Sequence, residues 1–382
     1  MALVSYVAEN LFEWLNTGGS NFVLLDVRNE EEFNRFKVEG PHQPRMLNVP
    51  YVEFVEHEAE STAQVPRGEA IRIVCAKEGS AKFVGEILTN RGWKDVAYLK
   101  GGIKTWGNML APRLVAEKDG YRLFQFIRPG KASCSYGLLV KDEMAVFDPS
   151  RNADFYEQFA KDHGCRIVRS FETHLQADYI SGSQELSKRT GAGIFGHEND
   201  FQHAVFNFIR VKDGEVFRLS AAGPEICAVH MPGHTPGSTS YLVDNTYLIS
   251  GDAIFILSIG RPDLGGKAVE WAKLLFKTIK TQIAALDDSI VVLPGHYMDW
   301  SEMNTKGLFG DSLGNIRKQN AGIYGIGDEK GFIRFIQDNM RPQPEVYAKI
   351  RQVNAGLTMA DDEEQEVMDL GKNECAASMH PK

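Results

Sequence analysis

Five side chains that could bind a metal follow four apolar segments in the second half of this sequence. His174 and Asp178 stand in "ETHLQAD", His234 in "MPGHTPGS", Asp252 in "ISGDAIF" and His296 in "VLPGHYM". Imidazole and carboxylate groups on tight loops after β-strands are typical of metal sites. A series of four such loops in this order therefore predicts a metal centre.

Two positions in the first of these loops decide which metal chemistry the site supports. "FETHLQADYISG" resembles the H-x-H-x-D-H ligand run of the metallo-β-lactamase fold, but Gln176 and Tyr179 replace two of its histidines. A dinuclear hydrolase needs a hydroxide held between two metals, so losing a ligand to each metal disfavours it. The set His174, His234 and Asp252 is intact. Two histidines and one carboxylate are typical of non-haem Fe(II) enzymes that activate O₂.

The segments around these ligands are similar to those of persulfide dioxygenases, the mono-iron branch of that fold. "ETHLQADYISGSQEL", "MPGHTPGSTSYLV", "SGDAIFILSIGRPDL" and "VLPGHYMDW" carry the resemblance, which spans residues 120–357. It implies one Fe(II) per chain at His174, His234 and Asp252, a small thiol persulfide and O₂ as substrates, sulfite as product, and a homo-oligomer. It also implies a surrounding layer of orienting residues, namely Gln176, Asp178, Tyr179 and His296.

Two further residues are candidates for substrate binding. Arg261 matches the family's Gly-Arg-x-Asp turn and either faces an anionic substrate or sulfite, or pairs with Asp263. Tyr297 directly follows His296, whereas family members that use glutathione tend to place this tyrosine one residue later. The sequence therefore leaves open which thiol carries the persulfide.

A cysteine in the first half lies where a β-strand is expected to meet a helix. Cys75 ends the apolar run "IRIVCAK", and the helical pattern "SAKFVGEILTNRG" starts at Ser80. If the intervening residues wrap into a tight loop, their N–H groups and the helix dipole favour a thiolate or a persulfide at Cys75. The alternative is a buried structural cysteine. The expected loop consists of Ala76, Lys77, Glu78, Gly79 and Ser80.

The motifs around Cys75 resemble the rhodanese (sulfurtransferase) domain. "LLDVRNEEEF", "IRIVCAKEGSA" and "LKGGIKTW" occur in the order and spacing of that family, and the resemblance covers most of residues 1–110. It implies that Cys75 accepts a sulfane sulfur, from thiosulfate or a persulfide, and that Asp26 and Arg28 support the loop from below.

The elements that must position these residues fall into two halves. Strand–helix alternation over residues 1–110 predicts an α/β domain with a mostly parallel sheet covered by helices. The second half is richer in β-strands, and its resemblance implies an αββα metallo-β-lactamase sandwich. We predict domains at 1–112 and 113–360, and an acidic, polar tail at 361–382 that is either loosely ordered or docked on a partner subunit.

Composition limits the setting in which the chain acts. The 382 residues are 43% hydrophobic and 24% charged, with a formal net charge of -9, which argues against a nucleic-acid partner. We expect no membrane segment and no secretory signal, since long apolar runs and a basic start are lacking. Five scattered cysteines without C-x-x-C pairs favour a reducing cytoplasm.

These observations predict a bifunctional sulfur enzyme, in which Fe(II)-dependent persulfide oxidation is joined to sulfane-sulfur transfer. Two alternatives remain. One is a glyoxalase-II-like zinc thioesterase with two metals, and the other is a degenerate metallo domain in which sulfur transfer at Cys75 is the only activity.

Overall fold

The computed structural model describes residues 3–18, 21–340 and 342–377, which divide into two compact units. The first unit comprises residues to Ala111, with Arg128–Lys131 and Leu370–Lys372. The second comprises Pro112–Ile127, Ala132–Asp369 and residues from Asn373. Within the described part of the chain, no helix is both long enough and apolar enough to cross a membrane.

The first unit is built on a five-stranded parallel sheet with the strand order β1-β5-β4-β2-β3. Its strands are β1 Val4–Tyr6, β2 Phe22–Asp26, β3 Arg45–Asn48, β4 Ala70–Val74 and β5 Val96–Leu99. Its helices are α1 Ala8–Thr17, α2 Glu30–Arg35, α3 Tyr51–Glu56, α4 Glu58–Gln64, α5 Gly79–Asn90 and α6 Ile103–Asn108. Strand β2 is buried along its whole length, as expected when helices cover both faces of a parallel sheet. The predicted α/β architecture of this half is confirmed.

The second unit contains two larger sheets. A seven-stranded sheet has the order β12-β11-β10-β9-β8-β7-β6, and a six-stranded sheet has the order β13-β14-β15-β16-β18-β19. The strands of the first are β6 Ala111–Lys118, β7 Tyr121–Arg128, β8 Ser133–Val140, β9 Glu143–Phe147, β10 Arg166–Phe171, β11 Gly193–His197 and β12 Ile209–Val211. Those of the second are β13 Val216–Phe217, β14 Ile226–His230, β15 Thr239–Val243, β16 Tyr247–Gly251, β18 Val291–Pro294 and β19 Asp311–Ser312.

Aromatic side chains join these two sheets into a sandwich. The ring centroid of Phe171 on β10 lies 5.0 Å from that of Phe147 on β9 and 5.0 Å from that of Tyr241 on β15. The helices are α7 Ala153–Asp162, α8 Ser183–Thr190, α9 Glu198–Phe201, α10 Ala268–Thr278, α11 Leu313–Gln319, α12 Ala321–Tyr324, α13 Glu329–Asn339, α14 Val346–Asn354 and α15 Asp362–Asp369. A π-helical turn Ile279–Ile283 extends α10, and a 3₁₀ turn spans Trp300–Glu302. The predicted metallo-β-lactamase sandwich is confirmed.

The C-terminal segment is folded rather than loose up to its last described residue. After α15, the two-residue strand β20 Ala376–Ala377 pairs with β17 Ile259–Gly260 in an antiparallel arrangement. The side chains of Met368, Asn373 and Cys375 are buried. Residues 378–382 of the predicted tail lie outside the described residues.

Candidate active sites

Three predicted metal ligands converge at one edge of the sandwich. His174 follows β10, His234 lies between β14 and β15, and Asp252 directly follows β16. The Nε2 atoms of His174 and His234 lie 3.8 Å and 3.4 Å from Asp252 Oδ2. Each of the three side chains is at most 2% exposed. Their donor atoms lie within 4.8 Å of one another, so a single cation could contact all three.

Hydrogen bonds fix how the two imidazoles face this point. His174 Nδ1 is 2.9 Å from Thr173 Oγ1, which in turn donates to Asp148 Oδ2 at 2.8 Å. His234 Nδ1 lies 2.9 Å from the Arg261 carbonyl oxygen. Among the described residues, neither Nε2 atom has a hydrogen-bond partner, and neither does Asp252 Oδ2. Buried polar atoms rarely stay unsatisfied, and three of them aimed at one point fit a bound metal.

The charge states of these groups also suit a cation. Burial lowers the pKa of His174 to about 3 and lowers the pKa of His234, so both imidazoles are neutral, as metal ligands must be. Burial opposes ionisation of Asp252, but His296 outweighs it and holds the pKa of Asp252 below its ordinary value. The donor set therefore carries one negative charge.

His296 lies beside this set and between two carboxylates. Its Nδ1 is 2.7 Å from Asp252 Oδ1, and its Nε2 is 2.9 Å from Asp178 Oδ2. Burial opposes its protonation, but Asp178 and Asp252 prevail and raise the pKa of His296 to about 10. With no metal bound, His296 is thus an imidazolium that orients Asp252.

Gln176 and Tyr179, the replacements in the first ligand loop, both lie where hydrogen bonds hold that loop. Asn354 Nδ2 donates to the backbone carbonyls of Gln176 at 2.9 Å and Tyr179 at 2.8 Å. The Tyr179 hydroxyl donates to the Asp148 carbonyl at 3.2 Å. Both side chains are buried. The loop is therefore held from α14 and from the end of β9.

A second group of donors contains a residue that the sequence analysis missed. Donor atoms of Asp178, His296 and Cys375 lie within 4.8 Å of one another, and all three side chains are buried. Burial, Asp178 and Asp252 raise the pKa of the Cys375 thiol. No motif surrounds Cys375 in the sequence, and only the pairing of β20 with β17 brings it here.

The two residues predicted to bind substrate are both buried. Arg261 donates from Nε and Nη2 to the Asp263 carboxylate at 2.6 Å and 2.7 Å, and from Nη1 to the Glu374 carbonyl at 2.9 Å. The Tyr297 ring stacks on Phe309 with centroids 3.6 Å apart. Arg261 therefore forms the ion pair that the sequence offered as one alternative. Substrate contact by either residue stays a prediction.

In the first unit, Cys75 lies in the loop between β4 and α5. Burial raises the pKa of its thiol, whereas hydrogen bonds from the backbone N–H groups of Ala81, Lys77 and Ser80 favour the thiolate. The loop is closed by the Ile103 N–H, which donates to the Cys75 carbonyl at 2.8 Å. Such a ring of amides can hold the negative charge of a sulfur atom bound to Cys75.

A buried ion pair lies at the end of the strand beside β4, and one side-chain contact holds the Cys75 loop. Arg28 donates from Nη2 to Asp26 Oδ2 at 2.6 Å and from Nε to Asp26 Oδ1 at 3.0 Å. The Glu78 carboxylate accepts the Gly101 N–H at 2.9 Å. Asp26 and Arg28 thus brace the strand beside β4, and Glu78 ties the loop to the start of α6.

Comparison with known families gives two matches. A family described as "Rhodanese-like domain" matches residues 8–109, and the "Metallo-beta-lactamase superfamily" matches residues 129–296.

Curated relatives of this chain have more than one activity in their names. A beta-lactamase hydrolase-like protein of Xylella fastidiosa is 27% identical over 56% of this chain and 52% of its own length. Human mitochondrial persulfide dioxygenase ETHE1 is 27% identical over 43% of this chain and 64% of its length. The hydroxyacylglutathione hydrolase of Methylococcus capsulatus is 33% identical over 29% of this chain and 43% of its length. The chain thus covers less than two thirds of each of these relatives.

Solved structures show the same fold. A metallo-beta-lactamase of Staphylococcus aureus has a TM-score of 0.57 at 27% identity, covering 64% of this chain and 75% of its own. ETHE1 from Myxococcus xanthus has a TM-score of 0.53 at 23% identity, covering 62% of this chain and 98% of its own.

Proposed function

We propose that this chain, a rhodanese-like domain followed by a metallo-β-lactamase superfamily domain, is a bifunctional sulfur enzyme. Its metallo domain oxidises a small thiol persulfide, so that R-S-S-H, O₂ and H₂O give R-S-H and sulfurous acid. The observation that carries this proposal is the buried donor set of His174, His234 and Asp252. Two imidazoles and one carboxylate would hold one Fe(II) and leave positions open for substrates.

Neighbouring residues of the chain orient the three metal donors. Iron bound there would supply affinity for a sulfur anion and for O₂. Thr173 and the Arg261 carbonyl hold each imidazole with Nε2 toward the cation, and His296 holds the carboxylate of Asp252. Since these groups are buried, bulk water is kept from the reacting sulfur.

The rhodanese domain moves sulfane sulfur through Cys75. Its thiolate attacks the outer sulfur of thiosulfate, a new S–S bond forms, and sulfite leaves with the electron pair of the broken bond. Run in reverse, the same step consumes sulfite from the metallo domain and releases thiosulfate. The amides of Lys77, Ser80 and Ala81 would hold the charge of the Cys75 persulfide. The five free thiols fit a reducing, cytoplasmic setting.

A second candidate function is hydrolysis of a thioester by two metals. The group of Asp178, His296 and Cys375 favours it, because these residues offer a second set of three donors beside the first. The similarity to hydroxyacylglutathione hydrolases points the same way. We rank it second because Gln176 and Tyr179 stand where the dinuclear motif has histidines.

Metal content and O₂ uptake together test the proposal. Protein purified without oxygen is analysed for metals, then given glutathione persulfide while O₂ and sulfite are measured. One iron per chain with sulfite formation supports persulfide oxidation, and His174→Ala should abolish both. His203→Ala is the control, since His203 is an exposed histidine of the same unit. Two zinc ions without O₂ uptake would favour the hydrolase, and no metal would leave sulfur transfer as the only activity.

A further inference from the structure

The C-terminal segment places the thiol of Cys375 beside the buried metal donors. Cys375 is 0% exposed, and its sulfur lies within 4.8 Å of donor atoms of Asp178 and His296. The thiol also interacts with the Asp252 carboxylate, which belongs to the first donor set. A sulfur atom added to Cys375 extends it by about 2 Å, the length of an S–S bond. Such an atom would therefore lie beside Asp252, one of the three donors that we assign to iron.

The segment that carries Cys375 is fastened to the elements that build the site. The Arg261 N–H donates to the Cys375 carbonyl at 2.8 Å, and the Arg261 carbonyl accepts from His234. The Tyr347 hydroxyl accepts the Glu374 N–H at 2.8 Å. The position of the thiol is thus set by the same residue that orients a metal ligand.

We propose that Cys375 is the thiol on which sulfur is oxidised, so that the immediate substrate of the metallo domain is a protein-bound persulfide. This inference rests on the proposed function, because it names the carrier in that reaction. The proposal accounts for the burial of all three metal donors. They are covered from solvent, but a thiol inside the site can approach them.

The chemistry takes two steps. In the first, the Cys375 sulfur attacks the outer sulfur of R-S-S-H, the original S–S bond breaks, and R-S⁻ leaves with the proton from Cys375. This gives R-S-H and Cys375-S-S-H without net oxidation. In the second, Cys375-S-S-H, O₂ and H₂O give Cys375-S-H and sulfurous acid, so the outer sulfur loses four electrons and O₂ gains them.

Loading requires the segment to open, which breaks its hydrogen bonds to Arg261 and Tyr347 and its pairing with β17. Among the residues up to Ala377, strand β20 pairs with β17 through two residue pairs, Ile259 with Ala377 and Gly260 with Ala376. Short terminal pairings open at low free-energy cost compared with core strands. Glutathione persulfide could thus charge Cys375 before the segment closes again.

Peptide mass spectrometry tests the first step directly. Metal-loaded protein is treated with glutathione persulfide without oxygen, desalted, alkylated and digested. We expect the peptide containing Cys375 to gain the mass of one sulfur atom, and to lose it when O₂ is admitted. Cys227, a half-buried cysteine on β14, is the internal control and should gain none.

Sulfite release from the desalted, loaded protein tests the second step. We expect one burst of sulfite and thiosulfate together from wild type and from Cys227→Ala, and at least a tenfold smaller burst from Cys375→Ala. Iron content and the circular dichroism spectrum show whether Cys375→Ala is folded. If wild-type Cys375 gains no sulfur while free persulfide is turned over, the carrier role is overturned and the proposed function stands. If Cys375 gains sulfur but O₂ produces no sulfite, the proposed function fails instead.

Discussion

The Thr173 hydroxyl is hydrogen-bonded to His174 Nδ1, so His174 presents Nε2 to the metal centre. Thr173 should therefore affect metal affinity although it does not contact the metal. Thr173→Val removes the hydroxyl that links the imidazole to Asp148. Loss of such an orienting partner lowers metal affinity by about 10–100-fold. Competition with a chromophoric chelator measures the metal affinity of each variant. Thr246→Val is the control, because the Thr246 hydroxyl donates to the Asp244 carbonyl in the turn between β15 and β16. Equal affinities for wild type and Thr173→Val would contradict the orienting role.

Glu172, two residues before His174, should make stability depend on pH. Burial and Asp148 raise its pKa from 4.5 to about 8, although Ser181 and Ser183 donate to its carboxylate and oppose the shift. A carboxyl group whose pKa is raised on folding stabilises the folded protein fully at pH values below 4.5. This stabilisation is lost as the pH rises through about 8.

Glu172→Gln should therefore be more stable than wild type above about pH 8, because the amide keeps an acceptor oxygen and cannot ionise. Urea denaturation at pH values from about 5 to 9 measures the difference. Glu143→Gln, on strand β9 of the same sheet, is the control. A constant difference between wild type and Glu172→Gln over this range would show that Glu172 is ionised in the folded protein.

At the scale of elements, the turn before α6 shapes the Cys75 loop. Gly102 has φ of 69°, and a Cβ there would lie 2.3 Å from the Lys77 carbonyl oxygen and 2.6 Å from that of Cys75. Gly102→Ala should therefore displace the loop and lower thiosulfate sulfurtransferase activity at least tenfold. Gly92→Ala is a matched control, because Gly92 also has positive φ but no atom within 4 Å. Gly92→Ala should lower the free energy of unfolding by only about 1–2 kcal/mol, through backbone strain. Equal activities in the two variants would contradict this role.

The sequence predicts those elements whose residues form an apolar run or show a regular apolar spacing. The loops bearing His174, His234 and Asp252 follow apolar strands, and such strands are visible as runs in the sequence. Helix α10 and its π-helical extension likewise carry buried residues at helical spacing, including Ala272, Leu275 and Ile279. By contrast, β17 and β20 contain two residues each, too few for any periodicity, so the position of Cys375 could not be foreseen. The role of Asn354 in holding the first ligand loop depends on a long-range contact that is equally invisible in sequence.

At the scale of the whole molecule, the proposed function joins two reactions that share sulfane sulfur and sulfite. Each unit has its own core and its own candidate site, with Cys75 in one and the three metal donors in the other. A tether raises the effective concentration of a shared intermediate without changing the chemistry at either site. Coupling should therefore alter the flux between the two reactions, while each site keeps its own activity.

Substitutions at one site should accordingly leave the other active. Cys75→Ser should abolish sulfur transfer from thiosulfate, because a hydroxyl cannot carry the sulfur, while persulfide-dependent O₂ uptake continues. His174→Ala should stop O₂ uptake through loss of metal while sulfur transfer continues. With persulfide and O₂ supplied together, wild type should release thiosulfate in addition to sulfite, and Cys75→Ser should release sulfite alone. If Cys75→Ser also stopped O₂ uptake, sulfur would have to pass through Cys75 before oxidation, and the two sites would not be independent.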